Sequence, residues 1–583
     1  MSIVALADDA KTSATSEVLQ DIINRHGITL SNPTDASAYL VVLQSADVTA
    51  QLVDDLPDFI DPRLAPTPTA SPRVCTRPSK SQDTFNCWSH HTSLRTSTPT
   101  SNILHGLKLA IKDNISVAGI PYTCGTFPQL ANPKVGEYPL PSIDAVVVKR
   151  VLDADAEIIG TSTCENYSLT PMSYTSANGP VDNPWLRGYN AGGSSSGNAC
   201  LLGLQRAKQL GVQGIPEIPY PDAALGGDQA GSIRLPASYC GVYGLKPTHG
   251  LVPYTGIAGL HPMIDHTGPM ANTLEDIAKI LTAIAGYDGI DPRCTAECPL
   301  RENVRQYHDE LAAFSGATSD LKQLGKGMKV GIITEALTSP VTSSEVAKVV
   351  EEAAMKHFAA AGAIVDRVSV PMHLLAPAIW TAASRTHMSS LTCAGRPPDL
   401  LSHNMPHWAP QWPMSQEMFD LLTIANPAVP NIILAETFLT GKFSPAQQSK
   451  ANRHVFQLRA AYDMALAEYD VLVLPTAPTV APPMPNLNEG EGSVIEKMRI
   501  AVGSTNHTCP FNITGHPGLS LPCGWGRASG GTPWPATNRT GPEGWLPVGM
   551  QVVGRRWDEM TVLKAAKVFE AGGGGLGQWP GVA

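Results

Sequence analysis

From Leu107 onward, short apolar runs alternate with stretches of helical spacing, and this alternation limits the possible folds more than any other feature of the chain. Leu107–Ile111 reads as a strand, Ala145–Asp153 as a helix and Glu157–Gly160 as a strand. Thr273 with Asp276 resembles a capping box, and Ile277, Leu281 and Ile284 then fall on one helical face. Met328–Thr334 is strand-like, Ser344–Ala361 is helical up to the stop at Gly362, and Ile364–Val370 is extended. Val471–Leu474 is a further short strand, ended by Pro475. Strands interleaved with helices in this way predict an α/β fold, a large mixed β-sheet covered by helices on both faces. No internal repeat interrupts the pattern.

The first hundred residues have a different texture. Ser16–Asn24 reads as a helix among acidic connecting stretches. Residues 61–101 are rich in Pro, Ser and Thr and read as an irregular arm, in which His90 and His91 are expected to be solvated. The N-terminus carries Asp8 and Asp9 and no basic stretch before Ile3–Ala7, which argues against a secretory signal. The longest apolar runs are too short to span a bilayer, so no membrane partner is expected. A net charge of -10 gives no basic face for nucleic acid. The eleven cysteines have no metal-like spacing, Cys294 and Cys298 being the closest pair; they are expected to be buried thiols in the cytoplasm, with no metal and no cofactor.

Three segments carry chemistry. Gly192-Gly193-Ser194-Ser195-Ser196-Gly197 alone reads as a flexible turn, but it runs straight into the apolar helix start Ala199-Cys200-Leu201-Leu202. A glycine turn feeding a helix presents free backbone N–H groups, which suit an anion or a developing oxyanion. Gly226-Gly227-Asp228-Gln229-Ala230-Gly231-Ser232-Ile233-Arg234 sets a serine among glycines that let N–H groups approach a carbonyl. Asp228 and Arg234 are expected to pair across this loop and hold it. In Leu109-Ala110-Ile111-Lys112-Asp113-Asn114 a lysine ends an apolar run. Burial there favours its neutral form, although a surface lysine at a strand end is the commoner case.

Together these segments resemble the amidase signature family, which places a KDN-type lysine, a GGSS loop and a GGSIR loop in this order. The resemblance continues through Gly241–Thr248, Asp265–Pro269, Phe511–Pro517 and Leu546–Gln551. Asn86-Cys87-Trp88 and the Gly226–Gln229 wording are similar to amidases that accompany nitrile metabolism, which carry an extra N-terminal helical region. The resemblance implies an extension over 1–100 and a catalytic domain over 101–583. Within it, core motifs occupy 107–290, a variable substrate-pocket region 290–465, and C-terminal sheet and helices 465–570.

Carried over residue by residue, the resemblance implies Ser232 as nucleophile, Ser194 as a bridging serine after a cis peptide, and Lys112 as general base. Gln229, Ala230, Gly231 and Ser232 would supply oxyanion N–H groups, with Ser195 holding the network and Asp228 and Arg234 giving structural support. The implied substrate is a small-molecule amide, cleaved through an acyl-enzyme, and the implied assembly is a homodimer. Three departures stand out. Ala230 replaces the family's usual glycine, a stretch around Gln205–Asp222 is surplus and reads as a surface loop with the means to reshape the pocket entrance, and 290–465 matches weakly.

Three rival readings follow from the same residues. A glutamine-amidotransferase subunit of the same family would feed ammonia to a tRNA-linked substrate; the long N-terminus and the Gly226–Gln229 wording argue against it. An α/β-hydrolase esterase would use Ser195 at a G-x-S-x-G elbow, but that elbow needs a buried strand before it and Trp185–Ala191 is polar and turn-like. A binding protein on this fold would have lost a catalytic residue, whereas Lys112, Ser194 and Ser232 are all present. His249, His266 and His516 read as structural histidines.

Overall fold

The computed structural model describes residues 6, 12–132, 136–396, 407–408, 410–485, 494–528, 544–578 and 580. Its contacts divide the chain into two compact units, Met1–Pro62 and Arg63–Ala583. The smaller unit holds two helices. The expected one spans Ser16–Arg25 and starts where Thr15 accepts from the Val18 N–H. The second, Pro33–Asp54, occupies part of what reads in sequence as connecting stretches; Asn32 caps it by accepting from the Thr34 N–H.

The larger unit is built on one eleven-stranded sheet. Its strands are β1 (Trp88–Leu94), β2 (Lys108–Lys112), β3 (Glu157–Ser162), β4 (Ala223–Gly227), β5 (Tyr243–Lys246), β6 (Thr267–Ala271), β7 (Lys329–Ile333), β8 (Ile364–Val368), β9 (Val471–Pro475), β10 (Gly518–Arg527) and β11 (Trp545–Val553). They lie in the order β1-β3-β2-β4-β6-β5-β10-β11-β9-β7-β8. β2 is parallel to both β3 and β4, β7 is parallel to β8 and β9, and the central pairings from β4 to β9 are antiparallel. The fold is therefore the mixed α/β sheet expected.

Alternate residues of one strand feed different hydrophobic clusters, which is why β2 and β9 carry apolar runs without polar alternation. In β9, Val471 and Val473 join one cluster while Leu472 and Leu474 join another. In β2, Leu109 and Ile111 face the first cluster and Ala110 a third. One side is closed by helices Val146–Asp153, Leu274–Ile284, Ser344–Ala360 and Glu559–Ala571, and the other by Ser196–Gln209 and Pro445–Glu468. A strand covered on both faces has no reason to alternate with polar residues. The helix at 274 begins as the sequence indicates: Thr273 Oγ1 accepts from the Asp276 N–H at 3.1 Å and donates to Asp276 Oδ2 at 2.6 Å.

Two expectations about residues 61–101 are corrected. The stretch 61–101 is not wholly an irregular arm, because β1 lies inside it and pairs antiparallel with β3. His90, expected to be solvated, is 7% exposed on that strand, and burial presses its pKa down to about 4. The surplus around Gln205–Asp222 extends helix Ser196–Gln209 and then loops back, with Lys208 and Glu217 paired at 2.7 Å. It enters β4 at its N-terminal end, the end opposite to Asp228, and none of it lines the cavity described below. No single helix among the described residues is long and apolar enough to cross a membrane.

Candidate active site

β2 and β4 run parallel, so their C-terminal ends deliver Lys112 and the loop from Asp228 to the same edge of the sheet. Lys112 is fully buried, and its Nζ lies 2.8 Å from Ser194 Oγ, to which it donates. Burial presses the Lys112 pKa down to about 8, against the upward pull of Cys164, Cys124, Asp228 and Glu165.

Ser194 sits on the turn that opens helix Ser196–Gln209, and the Gly193–Ser194 peptide is cis. Gly193 is required by close approach: a Cβ there would stand 2.6 Å from the Met172 carbonyl oxygen. The turn is tied to the other motifs. Ser195 N donates to the Ser232 carbonyl at 3.3 Å, and Ser195 Oγ donates to the Gly227 carbonyl at 3.3 Å. Glu165, which no sequence pattern picked out, braces the far side. Its carboxylate accepts from Ser196 Oγ and from Thr175 N and Oγ1, each at 2.7 Å, and its own N–H donates to the Ser194 carbonyl. Burial raises the Glu165 pKa to about 7 against those hydrogen bonds, and burial likewise raises Asp113, beside Lys112, to about 7.

The second loop is held by a buried ion pair. Arg234 donates from Nη2 to Asp228 Oδ1 at 2.8 Å and from Nε to Oδ2 at 3.0 Å, with both side chains wholly buried. Arg234 reaches on to Gln551 Oε1, Asn512 Oδ1 and the Thr508 carbonyl. Burial alone would raise the Asp228 pKa; the Arg234 charge and the Arg234 and Asn512 hydrogen bonds outweigh it and bring the value to about 2. Two distant side chains then fix the peptide planes of the loop. Trp380 Nε1 donates to the Gln229 carbonyl at 3.1 Å, and Thr508 Oγ1 donates to the Ala230 carbonyl. A pinned carbonyl turns the N–H of the next residue to the opposite side, so these anchors set the direction of the Ala230 and Gly231 N–H groups.

Ala230 is not among the residues with positive φ, so the alanine in place of the family's glycine carries no left-handed penalty; Gly231 carries φ +139° instead. A Cβ on Gly231 would stand 2.3 Å from Thr508 Oγ1. Gly231→Ala is therefore expected to cost about 1–3 kcal/mol through overpacking and backbone strain, read as a lowered midpoint in thermal unfolding.

Of the nine sequence-derived residues, Gln229, Ala230 and Ser232 line a cavity of about 250 Å³, with Ser232 8% exposed. Lys112, Ser194, Ser195, Gly231, Asp228 and Arg234 do not line it. The cavity is otherwise walled by Ser168–Pro171, Tyr174, Leu260, Trp380, Arg385, Asn426–Ala428, Asn431, Met498, Ala501, Val502 and Thr505. Several of these come from the weakly matching 290–465 region. Ser195 is not preceded by a strand, since the residues before it are turns and a bridge, which removes the α/β-hydrolase elbow. The three singled-out histidines have local partners: His249 with the Pro262 carbonyl, His266 with the Ile264 carbonyl, His516 with Asp463 and Thr514.

Comparison with known proteins agrees with this geometry. The family profile described as Amidase matches residues 88–563. An enantioselective amidase of Rhodococcus rhodochrous is 33% identical over 524 residues, covering 88% of this chain and 87% of the relative. A glutamyl-tRNA(Gln) amidotransferase chain of Methanosarcina mazei is 30% identical over 467 residues, covering 80% and 84%. Among solved structures, the peptide amidase of Stenotrophomonas maltophilia aligns with a TM-score of 0.56 at 27% identity, over 80% of this chain and 82% of that one. With its profile match, its relatives and its sheet all in agreement, the chain belongs to the amidase family and is an amide hydrolase.

Proposed function

We propose that the chain hydrolyses a small carboxamide through a Ser232–Ser194–Lys112 relay and an acyl-enzyme. The observation that carries this reading is the wholly buried Lys112 Nζ at 2.8 Å from Ser194 Oγ, on a loop bonded to the one that presents Ser232 to a cavity. A serine hydroxyl becomes nucleophilic when a base takes its proton. Here Ser232 Oγ gives its proton to Ser194 Oγ as Ser194 gives its own to the neutral Lys112 amine. Ser232 attacks the amide carbonyl, and the oxyanion rests on backbone N–H groups between Gln229 and Ser232. The proton returns along the relay to the leaving nitrogen, the C–N bond breaks, and water releases the carboxylate from Ser232. Asp228 and Arg234 support the loop, and Ser195 joins it to the bridging turn.

The test is ammonia release from a panel of aliphatic and aromatic amides as a function of pH. The base is competent when neutral, so kcat/KM is expected to rise with pH and level off above about 8, the Lys112 value. Glu165 and Asp113, both near 7, ionise on the same limb and broaden it. A profile flat from pH 6 to 9 in the chemical step would overturn the lysine assignment.

A second reading is favoured by the amidotransferase relatives: ammonia released from glutamine and passed to a partner protein. Glutamine turnover that appears only with a co-purified partner would select it. The hydrolase reading goes with a homodimer, checked by light scattering, and with the cytoplasm, where nine buried cysteines of eleven stay reduced.

A further inference from the structure

The cavity that holds Ser232 also holds a positive charge, and among the described residues no acid pairs with it. Arg385 follows helix Ala376–Ser384 and lines the cavity. Its Nη1 is buried with no hydrogen-bond partner, and among the described residues the side chain makes no ion pair. Its guanidinium lies over the Trp380 ring, 5.8 Å from the centroid, and that same indole donates to the Gln229 carbonyl. One aromatic side chain therefore links the charge to the loop that carries Ser232. Burial presses the Arg385 pKa below its usual value with no nearby acid to oppose it, yet arginine keeps its charge in proteins. The side chain is half-buried, and a partly desolvated cation with a buried donor left unpaired gains when an anion meets it.

Two further lining residues hold buried side-chain oxygens without partners, Ser168 Oγ and Gln229 Oε1. Gln229, three residues before Ser232 in the chain, thus holds an acceptor of the kind that the N–H of a carboxamide needs. Much of the remaining wall is apolar, including Leu169, Leu260, Ala428, Met498 and Val502. Among the described residues no aspartate or glutamate lines the cavity, so none of them offers a carboxylate to an ammonium group.

We infer that the substrate is an amide that also bears a carboxylate, joined by an apolar spacer and lacking a free amine: a monoamide of a dicarboxylic acid, its carboxylate held by Arg385. The inference rests on the hydrolase reading for the amide end and on Arg385 alone for the anion. A planar guanidinium offers a carboxylate two parallel N–H donors. With no acid among the described lining residues, glutamine's ammonium would enter without a carboxylate there to meet it.

The experiment has two arms on the full-length protein. In the first, kcat/KM is measured for the monoamides of glutaric and adipic acid, for length-matched neutral amides and for glutamine. The monoamides are expected to exceed the neutral amides by about tenfold or more, a charged hydrogen-bonded pair's worth, with glutamine below both. Arg385→Gln is expected to bring the monoamide-to-neutral ratio close to one, and Arg385→Lys to retain part of it. In the second arm, adipate binding is measured by calorimetry on wild type and Arg385→Gln, with circular dichroism confirming the fold of the variant. Adipate is expected to bind wild type and to lose about tenfold in the variant. Neutral amides preferred over monoamides, or an adipate affinity unmoved by Arg385→Gln, would overturn the inference while leaving hydrolysis intact. Adipate bound through Arg385 with no amide cleaved would sink the hydrolase reading and keep the anion site.

Discussion

Ser232→Ala is expected to lower amide turnover by at least about 10⁴-fold, the scale of loss when a serine nucleophile is removed from a cooperating set. The residue faces the cavity while its backbone carbonyl accepts from Ser195 N, a bond the alanine variant keeps. The unfolding midpoint should therefore move little, and the loss should fall on kcat rather than on KM. Lys112→Ala is expected to match it in kcat. The double variant should be no worse than either single one, because the hydroxyl and the amine act on the same proton. Additive losses would mean that the two groups work separately, and near-wild-type turnover by Ser232→Ala would remove the nucleophile assignment. Lys112→Ala also opens a void in a fully buried site, so its melting curve has to be read beside its kinetics.

The second large effect concerns stability. Arg234→Leu is expected to cost about 3–5 kcal/mol, because it strands the Asp228 carboxylate in a site with no access to water. The loss should be greater than that from an exposed pair such as Lys208–Glu217, where removal of one partner costs about 1 kcal/mol or less. It should also appear in turnover, since the Arg234 fork holds Thr508 and through it the Ala230 carbonyl. The sign with pH follows from Asp228. Its folded pKa of about 2 lies below the ordinary carboxylate value, so its contribution is fully present above that ordinary value and is lost as pH falls toward 2. Thermal unfolding of wild type should show a falling midpoint over that acid range. Asp228→Asn should flatten this part of the curve while lowering the midpoint at neutral pH.

Much of the sheet could be read from the chain because buried strands leave a local mark. Val471–Leu474 and Leu109–Ile111 are short apolar runs with no polar alternation, and the structure places both inside the sheet, each third from an edge, with both faces covered. β1 left no such mark. Its sequence, Trp-Ser-His-His-Thr-Ser-Leu, satisfies polar side chains through neighbours that are distant in the chain, such as Ser93 Oγ on Glu157 and Thr92 Oγ1 on the Val74 carbonyl. The same division holds at the site. Lys112, Ser194 and Ser232 lie in dense local motifs. Thr508, 278 residues from Ala230, and Trp380, 151 residues from Gln229, are isolated polar or aromatic residues whose partners exist only in the fold. Glu165 and Arg385 escaped notice for the same reason. A buried charge looks like any other charge until its surroundings are known.

Because β1 covers the outer side of β3, the start of a shortened chain has a physical optimum. A version begun at residue 101 would leave Glu157–Ser162 with a row of open N–H and C=O groups, a ready template for strand addition by a neighbouring copy. It would also remove the Cys87 carbonyl that accepts from Thr163 N and abuts Gly197, at the base of the helix behind Ser194. Recombinant trimming that begins near residue 63 keeps that border closed, whereas trimming to the first recognisable motif invites precipitation.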